Sequence, residues 1–379
     1  MNALNRDRFF AKSKHNLANV VGESQSLRPL PPPQNLKDFS MIRDSIITAD
    51  IHCANYKPFS GVDSSGRNTR FLACLNVLEE IYGFAKEKNC KNVFIAGDLF
   101  HTRGKIDTII YDSVYQFLKK NADSRTYLVV GNHDQAVKNG SIHSLRPFRE
   151  LQHVEVVDVP TTIKNVLFLP YQEKVNFDTF TDAEYLVGHM GVSGATVGAS
   201  NYEIGEEVGL KHLKKYKKAF LGHFHKGQTL GNVYIPGSPL QHTLGEREDK
   251  KGFLYVDYDY NVNFVETHAP KFKLVEVADP KEVTGFDKDD YVQFIVKSKK
   301  LKFYDFGKVS SNFKVTVDLL KTFEERLEIK PEESDIQILE NYIQKFKDPL
   351  LNQGLNLEKM KLLGKHIWEN YEKGYANES

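Results

Sequence analysis

An α/β fold, with sheets in the middle and helices outside, is the class this 379-residue sequence predicts. Three observations carry that expectation. From Ile42 onward, short apolar runs of strand length alternate with longer runs of helical periodicity. Late runs rich in Tyr, Val and Phe, VYIPGSP and GFLYVDYDYNVNFVE, add strands, the second of them a hairpin. Apolar runs also end, on their carboxyl side, in Asp, Asn or His, where α/β sheets gather their ligands.

Taken in order, residues 1–40 are polar and close in SLRPLPPPQN, a proline run that reads as an extended linker. Met41 opens a different texture. SIITAD is a strand, and FLACLNVLEEIYGFAKE sets Phe71, Leu75, Leu78 and Tyr82 on one helical face. NVFIAGD is the next strand, and IDTIIYDSVYQFLKK carries Ile106, Ile110, Val114 and Phe117 at helical spacing. TYLVVGN, NVLFLPY, AEYLVGH and KAFLGHF follow as short strands. After about residue 270, KFKLVEV, YVQFIVKS and FKVTVDL suggest a small α+β module, and from Lys321 the pattern is helical and strongly charged. The expected organisation is an extension over 1–40, a main domain over 41–268, a small module over 269–320 and a helical segment over 321–379.

Composition sets bounds. A hydrophobic share of 40% and a charged share of 27% are ordinary for a soluble globular chain. No apolar run reaches the length of a membrane span, and MNALNRDRFFAKSKHNL lacks the apolar core of a secretory signal. Cys53, Cys74 and Cys90 make no CxxC pair, so reduced thiols in a cytoplasm, that of a host if a phage encodes the chain, are expected. The net charge of +1 does not advertise nucleic-acid binding, yet lysines clump in KHLKKYKK and VKSKKLK. The ordinary meaning of such a clump is a solvated face, and it gains interest only where it borders a site.

AFLGHFHKG raises the chemical question. In a strand, His223 and His225 point the same way, and two converging imidazoles suit a transition metal. Alone, the pair is equally a surface HxH in a hairpin. The other strand ends decide: Asp50 and His52 follow SIITA, Asp98 follows NVFIAG, Asn132 and His133 follow TYLVVG, and His189 closes YLVGH. Singly these are a turn, a loop glycine and a type I′ turn; together they are hard to obtain by accident. The histidines outside these motifs read as surface or core residues; of them His143 and His242 lie near the motifs in sequence and are the candidates for touching a substrate.

In this order, D-x-H, G-D, G-N-H-D, G-H and G-H-x-H resemble the calcineurin-like metallophosphoesterase superfamily. Within it the chain is similar to SbcD-type nucleases, the bacterial and phage relatives of the eukaryotic Mre nuclease. GDLFHTR places His101 three residues after Asp98, GNHD ends in Asp134, and PGSPLQHTLGE follows the last metal histidine, as in that branch. The resemblance covers roughly residues 42–262; it departs where Cys53-Ala54-Asn55 replaces the family's frequent Leu-Gly, and Cys53 itself reads as a buried inert thiol.

The resemblance implies a metallophosphoesterase β-sandwich flanked by helices, a small α+β capping and DNA-binding module and a C-terminal helical tail. It implies two divalent cations, best matched by Mn²⁺, the first on Asp50, His52, Asp98 and His225, the second on Asp98, Asn132, His189 and His223. His133 would stabilise the transition state or protonate the leaving oxygen, His101 would assist it, and Asp134 would orient His133 through a ring nitrogen. Lys211, Lys214, Lys215 and Lys217 would contact DNA phosphates. The implied activity is DNA phosphodiester hydrolysis in repair, recombination or replication, with a metallophosphatase or small-molecule phosphodiesterase as the alternative. The implied partners are DNA and an SbcC-type coiled-coil ATPase, in a homodimer within a heterotetramer and with no membrane. The tail would grip the coiled coil through Ile336, Leu339, Ile343, Phe346, Leu357, Met360, Ile367, Trp368 and Tyr371 on two helices, the first opened by a Ser334–Gln337 capping box.

Overall fold

The computed structural model describes residues 41–180, 182–197, 202–203, 208–298, 301, 304–308, 312–317, 335–345, 347 and 356–365. The chain divides into Met1–Phe39 and Ser40–Ser379, and every described residue belongs to the second unit.

Two six-stranded sheets form the main domain. The strands of the first are β1 (Ser45–Thr48), β2 (Asn92–Ala96), β3 (Arg125–Val129) and β4 (Val154–Val157), all parallel, extended on the β1 side by an antiparallel hairpin. In chain order the next are β5 (Thr161–Ile163), β6 (Val166–Leu169), β7 (Tyr185–His189), β8 (Thr196–Val197), β9 (Tyr202–Glu203), β10 (Lys218–Gly222), β11 (Gln228–Leu230) and β12 (Val233–Ile235). Of these, β11-β12-β10-β7-β6-β5 make the second sheet, with β6, β7, β10 and β12 parallel, while β8 and β9 pair as a separate ribbon. The hairpin that completes the first sheet is β13 (Gly252–Val256) and β14 (Val262–Glu266), as GFLYVDYDYNVNFVE foretold.

Alternation along the strands builds the core. Ile47, Ala49, Phe94, Ala96 and Val129 of one sheet and Phe168, Val187 and Phe220 of the other form a single buried cluster between them. Burying each large side chain there contributes about 1.5–3 kcal/mol. The opposite face of the first sheet, through Ile46, Ile95 and Leu128, packs on α1 (Thr69–Glu87) and α2 (Thr108–Lys120). Phe71, Leu78 and Tyr82 of α1 are buried as their spacing requires. Ile106 lies before its helix rather than in it, because Asp107 caps α2 by accepting from the Ile109 N–H. The outer face of the second sheet is covered by 3₁₀ turns and loops carrying Phe177, Leu213 and Tyr216, so helices flank only one side among the described residues.

β15 (Phe272–Val277), β16 (Tyr291–Val296) and β17 (Phe313–Val317) form a small parallel sheet over Val292, Phe294 and Phe306. Beyond it, Asp335–Lys345 and residues 357–365 are helical. A side chain at Gly364 would collide with Leu339, so the two helices pack closely. Ile343 is buried, whereas Leu362 and Leu363 are exposed. Ser334, Phe346, Ile367, Trp368 and Tyr371 lie outside the described residues.

Candidate metal centre

The expected ligands come from the carboxyl ends of β1, β2 and β3 in one sheet and β7 and β10 in the other. Parallel pairing within each sheet brings these ends to one edge of the sandwich. Close approach there demands glycine. Gly97, at φ +94°, has its missing side chain against the His189 ring, and Gly222 lies against the Ala96 carbonyl and Ala49. Four ligand positions themselves hold positive φ: Asp50 at 55°, His52 at 51°, Asp98 at 54° and His223 at 107°. Each such residue costs about 1–3 kcal/mol, which the surrounding contacts must offset. Part of the compensation is visible, since Asp50 N–H donates to Gly97 O and His52 N–H to Asp98 O, both at 3.0 Å.

The side chains converge as two groups sharing Asp98. His52 Nε2 lies 3.1 Å from His225 Nε2 and 3.6 Å from Asp98 Oδ2. His189 Nε2 lies 3.4 Å from the same Asp98 oxygen and 2.9 Å from Asn132 Oδ1, which His223 Nδ1 approaches at 3.2 Å. Asp50, Asp98 and His189 have ligand atoms within 4.8 Å of one another, as do Asp50, His52 and His225. The Asp50 carboxylate also accepts the His223 backbone N–H, at 3.0 Å to Oδ2. All seven expected metal residues are therefore in one place.

The donor set fits a pair of divalent cations. His189 Nδ1 faces the Ala96 carbonyl at 2.8 Å, so that nitrogen carries a proton and Nε2 is the atom turned toward the cluster. His225 Nδ1 faces Glu246 Oε1 at 3.2 Å, and the Glu246 carboxylate is held by Lys251 at 2.7 Å, an outer support that aims Nε2 at the cluster. Electrostatics point the same way. Burial pushes Asp50 up and His52 far down, and burial together with His189 holds His223 down at about 4. Burial opposes the charge on His189, but Asp98 and Asp50 outweigh it and raise it to about 9. Carboxylates and ring nitrogens buried this closely are costly unless a cation lies among them.

His101 and His133 stand at the rim. Their rings stack at 5.2 Å, and both abut His52 edge-on, at 5.1 and 4.8 Å. His133 Nδ1 lies 2.7 Å from the His101 carbonyl oxygen, which fixes the Nδ1–H tautomer and leaves Nε2 free. The expectation that Asp134 orients this ring is corrected. Asp134 is buried, and its carboxylate accepts backbone N–H bonds from Asp98 at 3.0 Å, Phe100 at 3.1 Å and Gly131 at 2.9 Å. It fastens the β2 loop to the β3 loop. Burial first, then the charge of Asp98, pushes it up to about 7.

The lysines divide. KHLKKYKK is not a helix face but a 3₁₀ turn, Leu210–His212, followed by turns, because Leu213 and Tyr216 are pulled into the core and their carbonyls accept from the Asn232 amide. Lys217 precedes β10, at the end opposite His223, and pairs with Glu184 at 2.7 Å. Lys215 reaches the Phe177 carbonyl at 3.4 Å. Lys211 and Lys214 are exposed, and His212 lines a cleft of about 320 Å³ with Tyr171, Lys174, Phe177, Met190 and His223. Cys53 is buried and its thiol is pushed well up, by its hydrogen bond with Cys74 and by burial, so it stays inert. His143 pairs with Asp158 at 3.1 Å, outside the cluster.

Sequence reasoning passed over Tyr56, Arg70, Lys174, Glu246 and Lys251. Only Glu246 carried a signal, its place in PGSPLQHTLGE.

Residues 45–227 match the family model of the calcineurin-like phosphoesterases. The chain is 26% identical over 183 residues to a phosphoesterase of Invertebrate iridescent virus 6, covering 44% of this chain and 64% of that protein. It is 26% identical over 195 residues to exonuclease subunit 1 of Enterobacteria phage T4, covering 48% and 57%. It is 24% identical over 269 residues to the SbcD component of the SbcCD nuclease of Staphylococcus epidermidis, covering 60% and 71%. The chain thus spans less than two thirds of the first two relatives. Among solved structures, the Pseudomonas putida nuclease MPE aligns at 18% identity and a TM-score of 0.26, over 50% of this chain and 65% of that one.

Proposed function

We propose, from the premise that residues 45–227 belong to the calcineurin-like metallophosphoesterase superfamily, that this chain is a dimetal DNA nuclease. The observation that carries the reading is the pair His101 and His133, packed on His52 at the rim of the cluster. When bound, two divalent cations lower the pKa of water and withdraw charge from phosphate oxygens. The chain's own residues do the rest. Asp98 presents one oxygen to both ligand groups, and Asp50, His52 and His225 face Asn132, His189 and His223 across it. With Nδ1–H engaged by a carbonyl, His133 Nε2 is the free atom placed to exchange a proton with the leaving oxygen of a diester.

The DNA substrate rests on the nuclease names of two relatives, on the exposed lysines beside the cleft and on the chain that continues past the catalytic domain. The finer proposal is a Mn²⁺-dependent nuclease subunit that works with an SbcC-type coiled-coil ATPase in DNA repair, recombination or replication. Incubation with Mn²⁺ and end-labelled duplex DNA, beside p-nitrophenyl phosphate mono- and diesters, tests it. A ladder of shortened DNA is expected; rapid monoester hydrolysis with intact DNA would make the chain a phosphatase instead.

A further inference from the structure

The loop that supplies Asp50 and His52 is strained at both residues, and something must hold it. Their carbonyl groups show what does. His242, 7% exposed, directs Nε2 at the Asp50 carbonyl oxygen, 3.0 Å away. Tyr56 donates its hydroxyl proton to the His52 carbonyl oxygen at 2.6 Å, and the same oxygen atom of Tyr56 lies 3.3 Å from His242 Nδ1. Since a carbonyl only accepts, Nε2 of His242 must carry hydrogen. Nδ1 of the same ring faces the tyrosine.

This bracket is itself anchored. Arg70, 5% exposed, donates from one guanidinium nitrogen to the His242 carbonyl at 2.7 Å and from the other to the Pro58 carbonyl at 3.3 Å. Its charge is faced by aromatic rings rather than by any carboxylate among the described residues: Tyr56 at 4.1 Å, Tyr291 at 5.1 Å and Phe272 at 5.2 Å. Phe272 and Tyr291 belong to the small parallel sheet, and Phe272 N–H donates to Gln241, the neighbour of His242, at 2.7 Å. From the other side, His242 N–H donates to the Glu246 carboxylate at 3.2 Å, the group that also holds His225.

We propose that Tyr56 and His242 are positioning residues for the first metal: they hold the carbonyls of His52 and Asp50 so that both keep the left-handed backbone aiming their side chains at the ion. The proposal rests on the dimetal reading. Neither residue needs to touch metal or substrate; each acts through the backbone of a ligand, and Arg70 ties both to the small sheet. Release of either carbonyl lets the loop relax toward ordinary φ, which turns Asp50 or His52 away from its partners. The second ligand group has anchors of its own, the Ala96 carbonyl and Gly97, and meets this loop only through shared Asp98 and the Asp50–His223 bond, so it is disturbed less.

The test is Mn²⁺ binding by the full chain, followed by calorimetry and by manganese electron paramagnetic resonance, for the wild type, Tyr56→Phe, His242→Leu and His242→Gln. The wild type should bind two ions. Tyr56→Phe and His242→Leu should weaken one of the two sites by about tenfold, the effect usual for an outer support, and the other by clearly less. Their metal-free melting temperatures should stay near that of the wild type, while the rise on adding Mn²⁺ shrinks. His242→Gln, whose amide can still donate to the Asp50 carbonyl, should recover most of the lost affinity. Two sites of wild-type affinity in both Tyr56→Phe and His242→Leu would overturn the proposal while leaving the dimetal reading standing. A wild-type chain that binds no Mn²⁺ would overturn the dimetal reading, and this proposal with it. Equal weakening of both sites, or melting lowered equally with and without metal, would make the two residues structural and would also overturn it.

Discussion

Asp98 presents only one carboxylate oxygen to the cluster, because its Oδ1 accepts the His133 backbone N–H at 2.8 Å while Oδ2 faces both His52 and His189. A single atom therefore serves two ligand groups. Asp98→Asn keeps an oxygen for the His133 N–H but turns an NH₂ toward the cluster. The variant should fold and yet fail to retain paired metal, and Asp98→Ala should do the same. Metal analysis of the purified variants should find fewer than two ions per chain; two ions would refute the shared-ligand assignment.

His133→Asn separates chemistry from binding. The side chain packs on His52, and the backbone N–H that donates to Asp98 survives the substitution. DNA cleavage should fall by about 10²–10⁴-fold. Metal content and DNA affinity should remain near wild type, since only help given in the transition state is removed. Parallel loss of affinity and rate would assign His133 to substrate binding instead.

Asp134→Asn should act through stability. The carboxylate satisfies three backbone N–H groups, and an amide must set its own NH₂ against at least one of them. The cost of one unsatisfied buried donor is about 1–3 kcal/mol. Chemical denaturation should show a loss of this size with no change in the slope against denaturant. If stability is untouched while activity collapses, Asp134 works on the chemistry and its role as a loop fastener fails.

Salt dependence sorts the lysines. Lys174 lines the cleft beside His223, and Lys211 adjoins His212 on its wall, whereas Lys217 is paired with Glu184 at the far end of β10. Replacing Lys174 and Lys211 together by Ala should flatten the plot of log affinity against log salt by about one to two units. Lys217→Ala should leave the slope as it was. A change of slope in Lys217→Ala alone would move the DNA path to the other edge of the sheet.

What could be read in the sequence, and what could not, follows from which atoms do the work. Asp50, His52, Asp98, Asn132, His189, His223 and His225 were legible because each closes an apolar strand, and parallel strands bring their carboxyl ends together. Asp134 was misread because it adjoins His133 in sequence. The turn of the GNHD loop instead sends its side chain inward to backbone donors, which no residue pattern records. Tyr56 and Arg70 escaped for the same reason, and His242, which the sequence offers only as a possible substrate contact, has a ligand's carbonyl oxygen as its partner instead. KHLKKYKK reads by charge as a solvated face, but Leu213 and Tyr216 follow the demands of the second sheet's outer face.

The reach of the ligand set across the chain carries a consequence for how the protein is made. His52 and His225 meet across 173 residues of sequence, and their contact requires β10 to have joined β7 in the second sheet. A nascent chain can complete the first sheet's parallel core, with Asp50, His52 and Asp98 in place, long before it owns a metal site. Contacts of such separation form late and slowly. Metal uptake should therefore coincide with the slowest refolding phase, which stopped-flow mixing of unfolded chain with Mn²⁺ would resolve. The intermediate would be a half-built sandwich with an uncovered face, the species that a cell's chaperones would meet.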